Sequence, residues 1–209
     1  MSMKNSKNST KKVVKNLTNC TKKIAILFSG SGTNMENIIK KLHGKCFNGV
    51  KIEVSLLICN KKDALGIKRA KNLGFDTRII EHGKYDSRDE FDAELVRVIK
   101  ETNVDLVVLA GFMRVLGEQF CKEVKAINLH PSILPLFKGA HAIEESWQSD
   151  MQVGGISIHW VSAELDGGKI IAQKTFPRKN SSFEKWEEKT HELEHELLPK
   201  TIVEILCKK

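Results

Sequence analysis

Short apolar, β-branched runs alternate with amphipathic stretches along most of this chain. The runs 24-IAILF-28, 52-IEVSLLIC-59, 77-TRII-80, 105-DLVVLA-110 and 126-AINLH-130 are strand-length and read as strands. Between them, 34-NMENIIKKL-42, 63-DALGIKRAKNLG-74 and 88-RDEFDAELVRVIKET-102 repeat their apolar residues at the spacing of a helix with one buried face. Strands that are apolar throughout, alternating with helices, predict an α/β fold: a mostly parallel twisted sheet, Rossmann-type, with helices on both faces. Sites in such folds lie at the carboxyl ends of the strands. The last third changes character. There 153-VGGISIHWV-161 and 169-KIIAQKTFP-177 read as two β-runs joined through 162-SAELDGG-168, either paired antiparallel or extending the sheet. A charged amphipathic helix over about 183–207 closes the chain, and Pro199 predicts a kink or break inside it.

A length of 209 residues suits one α/β domain, and neither an internal repeat nor a long linker divides it. The formal charge of +8 suggests a nucleic-acid partner until it is located. Residues 1–23 hold seven lysines and no acid, so the body is close to neutral. The expected division is therefore a basic, disordered extension over 1–23 and a catalytic domain over 24–209. A transit peptide or nucleic-acid arm is the sharper reading of that tail, but it lacks arginine. No apolar run reaches the ~18 residues needed to span a bilayer, which predicts a soluble, cytoplasmic protein with no membrane partner. The five cysteines are scattered without a C-x-x-C pair, which favours reduced thiols.

Several segments carry candidate chemistry. In 126-AINLH-130, Asn128 and His130 are two residues apart on a strand, so they share a face where Pro131 ends it. An amide beside an imidazole at a strand end suits a reacting carbonyl oxygen. The loop 29-SGSGTN-34 opens onto a helix and could cradle a phosphate, although Met35 spoils the dinucleotide fingerprint; a structural turn is the plain alternative. Asp166 is either a turn aspartate bonding its own backbone or a carboxylate brought beside His130. Arg88 opens a helix, and 111-GFMR-114 follows a strand, an arrangement suited to a flat, partly anionic ligand. The segment 191-HELEH-195 is a literal zinc-hydrolase motif, yet it offers no third ligand in the residues that follow and sits among many glutamates. His43, His82, His191 and His195 read as surface residues, and His159 as a hydrogen-bonded core histidine.

Taken in order, 29-SGSGTN-34, 85-YDSRDEFD-92, 108-VLAGFMRVL-116, 127-INLHPSILP-135 and 164-ELDGGKII-171 resemble the folate-dependent formyltransferases that act on glycinamide ribonucleotide in purine biosynthesis. The resemblance runs over about residues 24–205. It implies that Asn128, His130 and Asp166 are the catalytic triad. It places the ribonucleotide phosphate on Gly32, Thr33 and Asn34, and the ribose hydroxyls on Glu194. It places 10-formyltetrahydrofolate, the co-substrate, against Arg88, Met113, Arg114, Val115, Leu116 and Asn128 and the loop Ser162, Ala163, Glu164, Leu165, Asp166. The partners implied are these two small molecules, with no metal and no nucleic acid, and the enzyme a monomer or homodimer. A 10-formyltetrahydrofolate hydrolase or a sister formyltransferase is the nearest alternative, because 137-FKGAH-141 carries Lys138 where the family often has proline.

Overall fold

The computed structural model describes residues 20–178 and 182–208. Its elements run β1 (Cys20–Phe28), α1 (Thr33–Leu42), β2 (Cys46–Phe47), β3 (Val50–Cys59), α2 (Leu65–Asn72) and β4 (Arg78–Ile79), then a 3-10 turn at His82–Lys84. They continue through α3 (Arg88–Glu101), β5 (Leu106–Leu109), α4 (Glu118–Glu123), β6 (Ala126–His130), α5 (Ala142–Gln148), β7 (Val153–Trp160), β8 (Ile170–Pro177) and α6 (Phe183–Leu206).

One sheet orders the strands β2-β3-β1-β5-β6-β7-β8, with β4 also paired to β3. β3, β1, β5 and β6 are mutually parallel, whereas β7 and β8 add antiparallel strands at one edge. The two last β-runs therefore do both things the sequence allowed: they pair with each other and extend the sheet. β1 shows why its run is apolar throughout. Ile24, Ile26 and Phe28 pack on one face with Met35 and Ile38 of α1 and Leu198 and Ile202 of α6. Ala25 and Leu27 pack on the other with Phe91, Leu95 and Ile99 of α3 and Phe120 of α4. Side chains alternate across a strand, so a strand covered on both faces must be apolar at every position.

Three boundaries differ from expectation. β1 begins at Cys20, so Lys22 and Lys23 belong to the sheet, where Asp105 accepts from Lys22 Nζ at 2.7 Å and from the Lys23 N–H at 2.8 Å. The rest of the expected disordered extension, residues 1–19, lies outside the described residues. The run 77–80 shrinks to a two-residue strand, because β4 meets β3 only at Ile58 and Cys59. Pro199 neither breaks nor ends α6, which runs unbroken through it. Proline lacks an N–H, so the carbonyl four residues back loses its helical donor. That carbonyl, of His195, accepts instead from Asn37 Nδ2 and Lys41 Nζ on α1, both at 2.8 Å. The break expected from sequence has become a docking point between two helices. The pattern also missed β2, α4 and α5, all too short to show a period.

Among the described residues, no helix is long and apolar enough to cross a membrane. All five cysteines are free thiols, as expected.

Candidate active site

β6 delivers Asn128 and His130 to the carboxyl end of the parallel sheet, as their spacing requires. The antiparallel register of β7 then places His159 directly opposite Asn128. The chain leaves β7, and its loop turns back at Asp166, which has a φ of 47°. Aspartate tolerates the left-handed region better than most residues, and this turn aims its carboxylate inward. Asp166 Oδ1 lies 3.3 Å from Asn128 Nδ2 and 3.5 Å from His159 Nε2. Its other oxygen, Oδ2, lies 3.4 Å from His130 Nδ1 and accepts the Gly139 N–H at 2.9 Å. Four residues from three segments thus share one buried carboxylate.

Burial pushes the Asp166 carboxyl up, but the His159 hydrogen bond, the Gly139 N–H and the charge of His130 outweigh it and hold it below its ordinary value. His130 is buried, and its Nε2 faces the Phe137 carbonyl at 2.7 Å while Nδ1 faces the carboxylate. Both ring nitrogens thus face oxygen atoms of the protein. The amide of Asn128 is likewise engaged, with Asp166 and with His159 Nε2 at 3.2 Å. The two expected donors thus stand together, turned onto atoms of the protein.

This cluster forms one wall of a cavity of about 390 Å³. Met113, Arg114, Val115 and Leu116 also line it, as do Ser162, Glu164 and Leu165. Met113 and Leu165 expose large apolar surface there, as a site for a flat ligand should. Two expected residues stand apart: Ala163 is exposed and Arg88 is exposed, and neither lines the cavity. Arg88 opens α3 behind a Ser87 cap that accepts the Glu90 N–H at 3.2 Å. Its guanidinium reaches toward Gly117, at the far end of the 111–117 segment, so it flanks the cavity. Gly117 is itself held by Asp92, whose Oδ2 accepts its N–H at 2.6 Å. Lys138 bridges to Glu164 at 2.7 Å and so ties the 131–141 segment to the Ser162–Asp166 loop.

The glycine loop lies at the end of β1. Gly32 precedes α1 at φ 73°, and a Cβ there would come within 2.7 Å of the Gly66 backbone, so a side chain is excluded. Thr33 and Asn34 then begin the helix, where N–H groups lack helical partners and attract anions. Asn34 Nδ2 donates to Glu194 Oε2 at 2.9 Å, joining two expected ribonucleotide residues 160 positions apart. His191 Nδ1 contacts the same oxygen at 2.9 Å. Of the histidines read as surface, His82 and His195 are only half-exposed, and each keeps one buried ring nitrogen without a hydrogen-bond partner. No group of three or more metal-capable side chains is found among the described residues, so the HELEH segment gains no third ligand.

Sequence reasoning placed His159 in the core but did not connect it to the triad; only the β6–β7 register does that. It also missed the Phe137 carbonyl and the Gly139 N–H, which are backbone groups and carry no side-chain signature.

Comparison with known proteins agrees with this geometry. The formyl transferase family model matches residues 22–202. The crystal structure of phosphoribosylglycinamide formyltransferase from Campylobacter jejuni is 59% identical and matches with a TM-score of 0.88, covering 90% of this chain and 98% of that one. Phosphoribosylglycinamide formyltransferase of Bacillus subtilis is 32% identical over 188 residues, 88% of this chain and 95% of its own length. The trifunctional purine biosynthetic protein adenosine-3 of Gallus gallus is 40% identical over 180 residues. The chain spans only 18% of that protein's length.

Proposed function

The chain belongs to the formyl transferase family, and from that premise we propose that it transfers the formyl group of 10-formyltetrahydrofolate to the amine of 5'-phosphoribosylglycinamide. The products are formylglycinamide ribonucleotide and tetrahydrofolate, and the setting is the cytoplasm. One observation carries the reading: Asn128, His130 and Asp166 converge, within 3.4 Å contacts, on a cavity also lined by Met113, Val115, Leu116 and Leu165. The folate supplies a formyl group already activated on its N10 nitrogen, so neither metal nor nucleotide hydrolysis is required.

In this reading the folate ring lies against Met113, Val115 and Leu165, with its glutamate end toward Arg88. The ribonucleotide phosphate sits on Gly32, Thr33 and Asn34, and Glu194 accepts from the ribose. As the amine attacks, negative charge develops on the formyl oxygen. Asn128 and His130 turn their hydrogens from Asp166 and the Phe137 carbonyl onto that oxygen, each worth roughly 2.7–4 kcal/mol in comparable oxyanion sites. Asp166, whose carboxyl is held below its ordinary value, orients the His130 ring and, through water, relays the proton from the attacking nitrogen to N10.

The test is to mix purified protein with 10-formyltetrahydrofolate and follow tetrahydrofolate release by absorbance, with and without the ribonucleotide and with EDTA throughout. Release that requires the ribonucleotide and ignores EDTA supports the transfer. Release without it identifies a hydrolase, and no release in either arm rejects the folate site.

A further inference from the structure

Neither histidine side chain of the HELEH segment has a role in the reading above, and His191 is the one that touches Glu194. His191 Nδ1 and Asn34 Nδ2 each lie 2.9 Å from the same oxygen, Glu194 Oε2, so imidazole and amide are no more than twice that distance apart. Asn34 belongs to the first turn behind the glycine loop. Glu194 is 5% exposed, whereas the His191 side chain is 47% exposed. One edge of the ring therefore meets a buried carboxylate that also holds Asn34, while about half of the side chain is exposed.

We propose that His191 is a proton-dependent positioning residue for the phosphate-bearing substrate. As an imidazolium it holds Glu194 as a carboxylate against Asn34 and adds positive charge beside the glycine loop. Ribonucleotide binding therefore weakens as His191 loses its proton. The inference rests on the ribonucleotide site proposed above.

The surrounding charges can be named. On α6, Glu194 and Glu187 favour the imidazolium. His195, one turn on, is coupled to the same Glu194 and to His191, and across the interface Lys41 and Glu36 of α1 face His195. The glycine loop itself, 29-SGSGTN-34, carries no charged side chain. The hydrogen bond with Glu194 raises His191 above its ordinary value, against the opposing effect of burial. The protonated form is therefore retained to higher pH than in a free imidazole and is lost as pH rises through the raised value.

The experiment measures KM and kcat for the ribonucleotide, and KM for the folate, from pH 6 to 9 in the wild type, His191→Gln and His191→Lys. The wild-type KM for the ribonucleotide should rise about fivefold toward alkaline pH, the size of one charge contact about 4 Å long in water. His191→Gln should show the high value throughout and His191→Lys the low one, while the folate KM stays level in all three. The substrate phosphate loses its own second proton near pH 6. That change is common to all three proteins, so the differences between them isolate His191. A second readout needs no variant kinetics: the His191 ring, followed by NMR titration, should titrate at higher pH with ribonucleotide bound than without. An unaltered pH profile in His191→Gln, or an unmoved titration on binding, overturns the inference. Failure of the wild type to transfer formyl at any pH overturns the parent reading and this one together, an outcome distinct from transfer with the wrong pH profile.

Discussion

The two ends of the candidate site are built on opposite plans. The catalytic end is a strand-end assembly: Asn128 and His130 project from one β-strand, His159 is set opposite by sheet register, and Asp166 returns on a tight loop. Asn128, His130 and His159 there are fixed by strand pairing, and Asp166 by the bonds of its carboxylate. The ribonucleotide end is a helix-helix assembly, in which Asn34 of α1 meets Glu194 and His191 of α6 across an interface between distant parts of the chain. Its geometry depends on how α6 docks. On the proposed reading, the difference predicts that changes at the first end act on turnover and changes at the second on affinity.

Four perturbations break or sharpen that contrast. The largest effect belongs to the strand end. Asn128→Ala or His130→Ala should each lower kcat by roughly a hundredfold to a thousandfold, as loss of one oxyanion donor does elsewhere, with an unchanged circular dichroism spectrum. Next comes the helix end, where Glu194→Gln should raise KM for the ribonucleotide roughly tenfold or more, the cost of losing hydrogen bonds to a charged acceptor. Its kcat at saturation should move far less, and an equal fall in both would erase the proposed division. A third probe titrates the strand end. The Asp166 carboxyl is held below its ordinary value in the folded protein, so it contributes stability above its unfolded value and loses that contribution as pH falls through the folded one. Asp166→Asn, which keeps a residue tolerant of the left-handed backbone, should therefore melt below the wild type at neutral pH. The two melting curves should converge in acid. The smallest effect is expected from Asn37→Ala, which removes one of the donors to the His195 carbonyl. It should cost about 1 kcal/mol in denaturant unfolding and raise the ribonucleotide KM modestly, with kcat intact.

The same contrast explains what could be read from sequence. Asn128 and His130 were visible because a two-residue spacing on a strand is a statement about space. The sheet was visible because doubly covered strands are apolar at every position, as Ile24 to Phe28 are. Nothing local links Asn34 to Glu194 or His159 to Asp166; those contacts are products of docking and register, and only the family resemblance pointed to Glu194. α5 and α4 escaped notice because seven and six residues do not complete enough turns to show a period. The break that Pro199 allowed does not occur, for a physical reason. The penalty of proline inside a helix includes an orphaned carbonyl, and here a neighbouring helix supplies the missing donors.

That orphaned carbonyl also sets the phase of α6. Along the middle of the helix the other carbonyls keep their own donors, so the one freed by Pro199 is a keyed position rather than one of many equivalent grips. A helix so keyed cannot slip along α1 by a residue without leaving Asn37 and Lys41 facing a carbonyl already in use. Glu194 lies one residue before the key. A single residue inserted between them would swing it by about 100° around the helix axis, away from Asn34. The proline thus works as a registration mark, fixing by subtraction of one hydrogen which way a glutamate faces at the far end of the site.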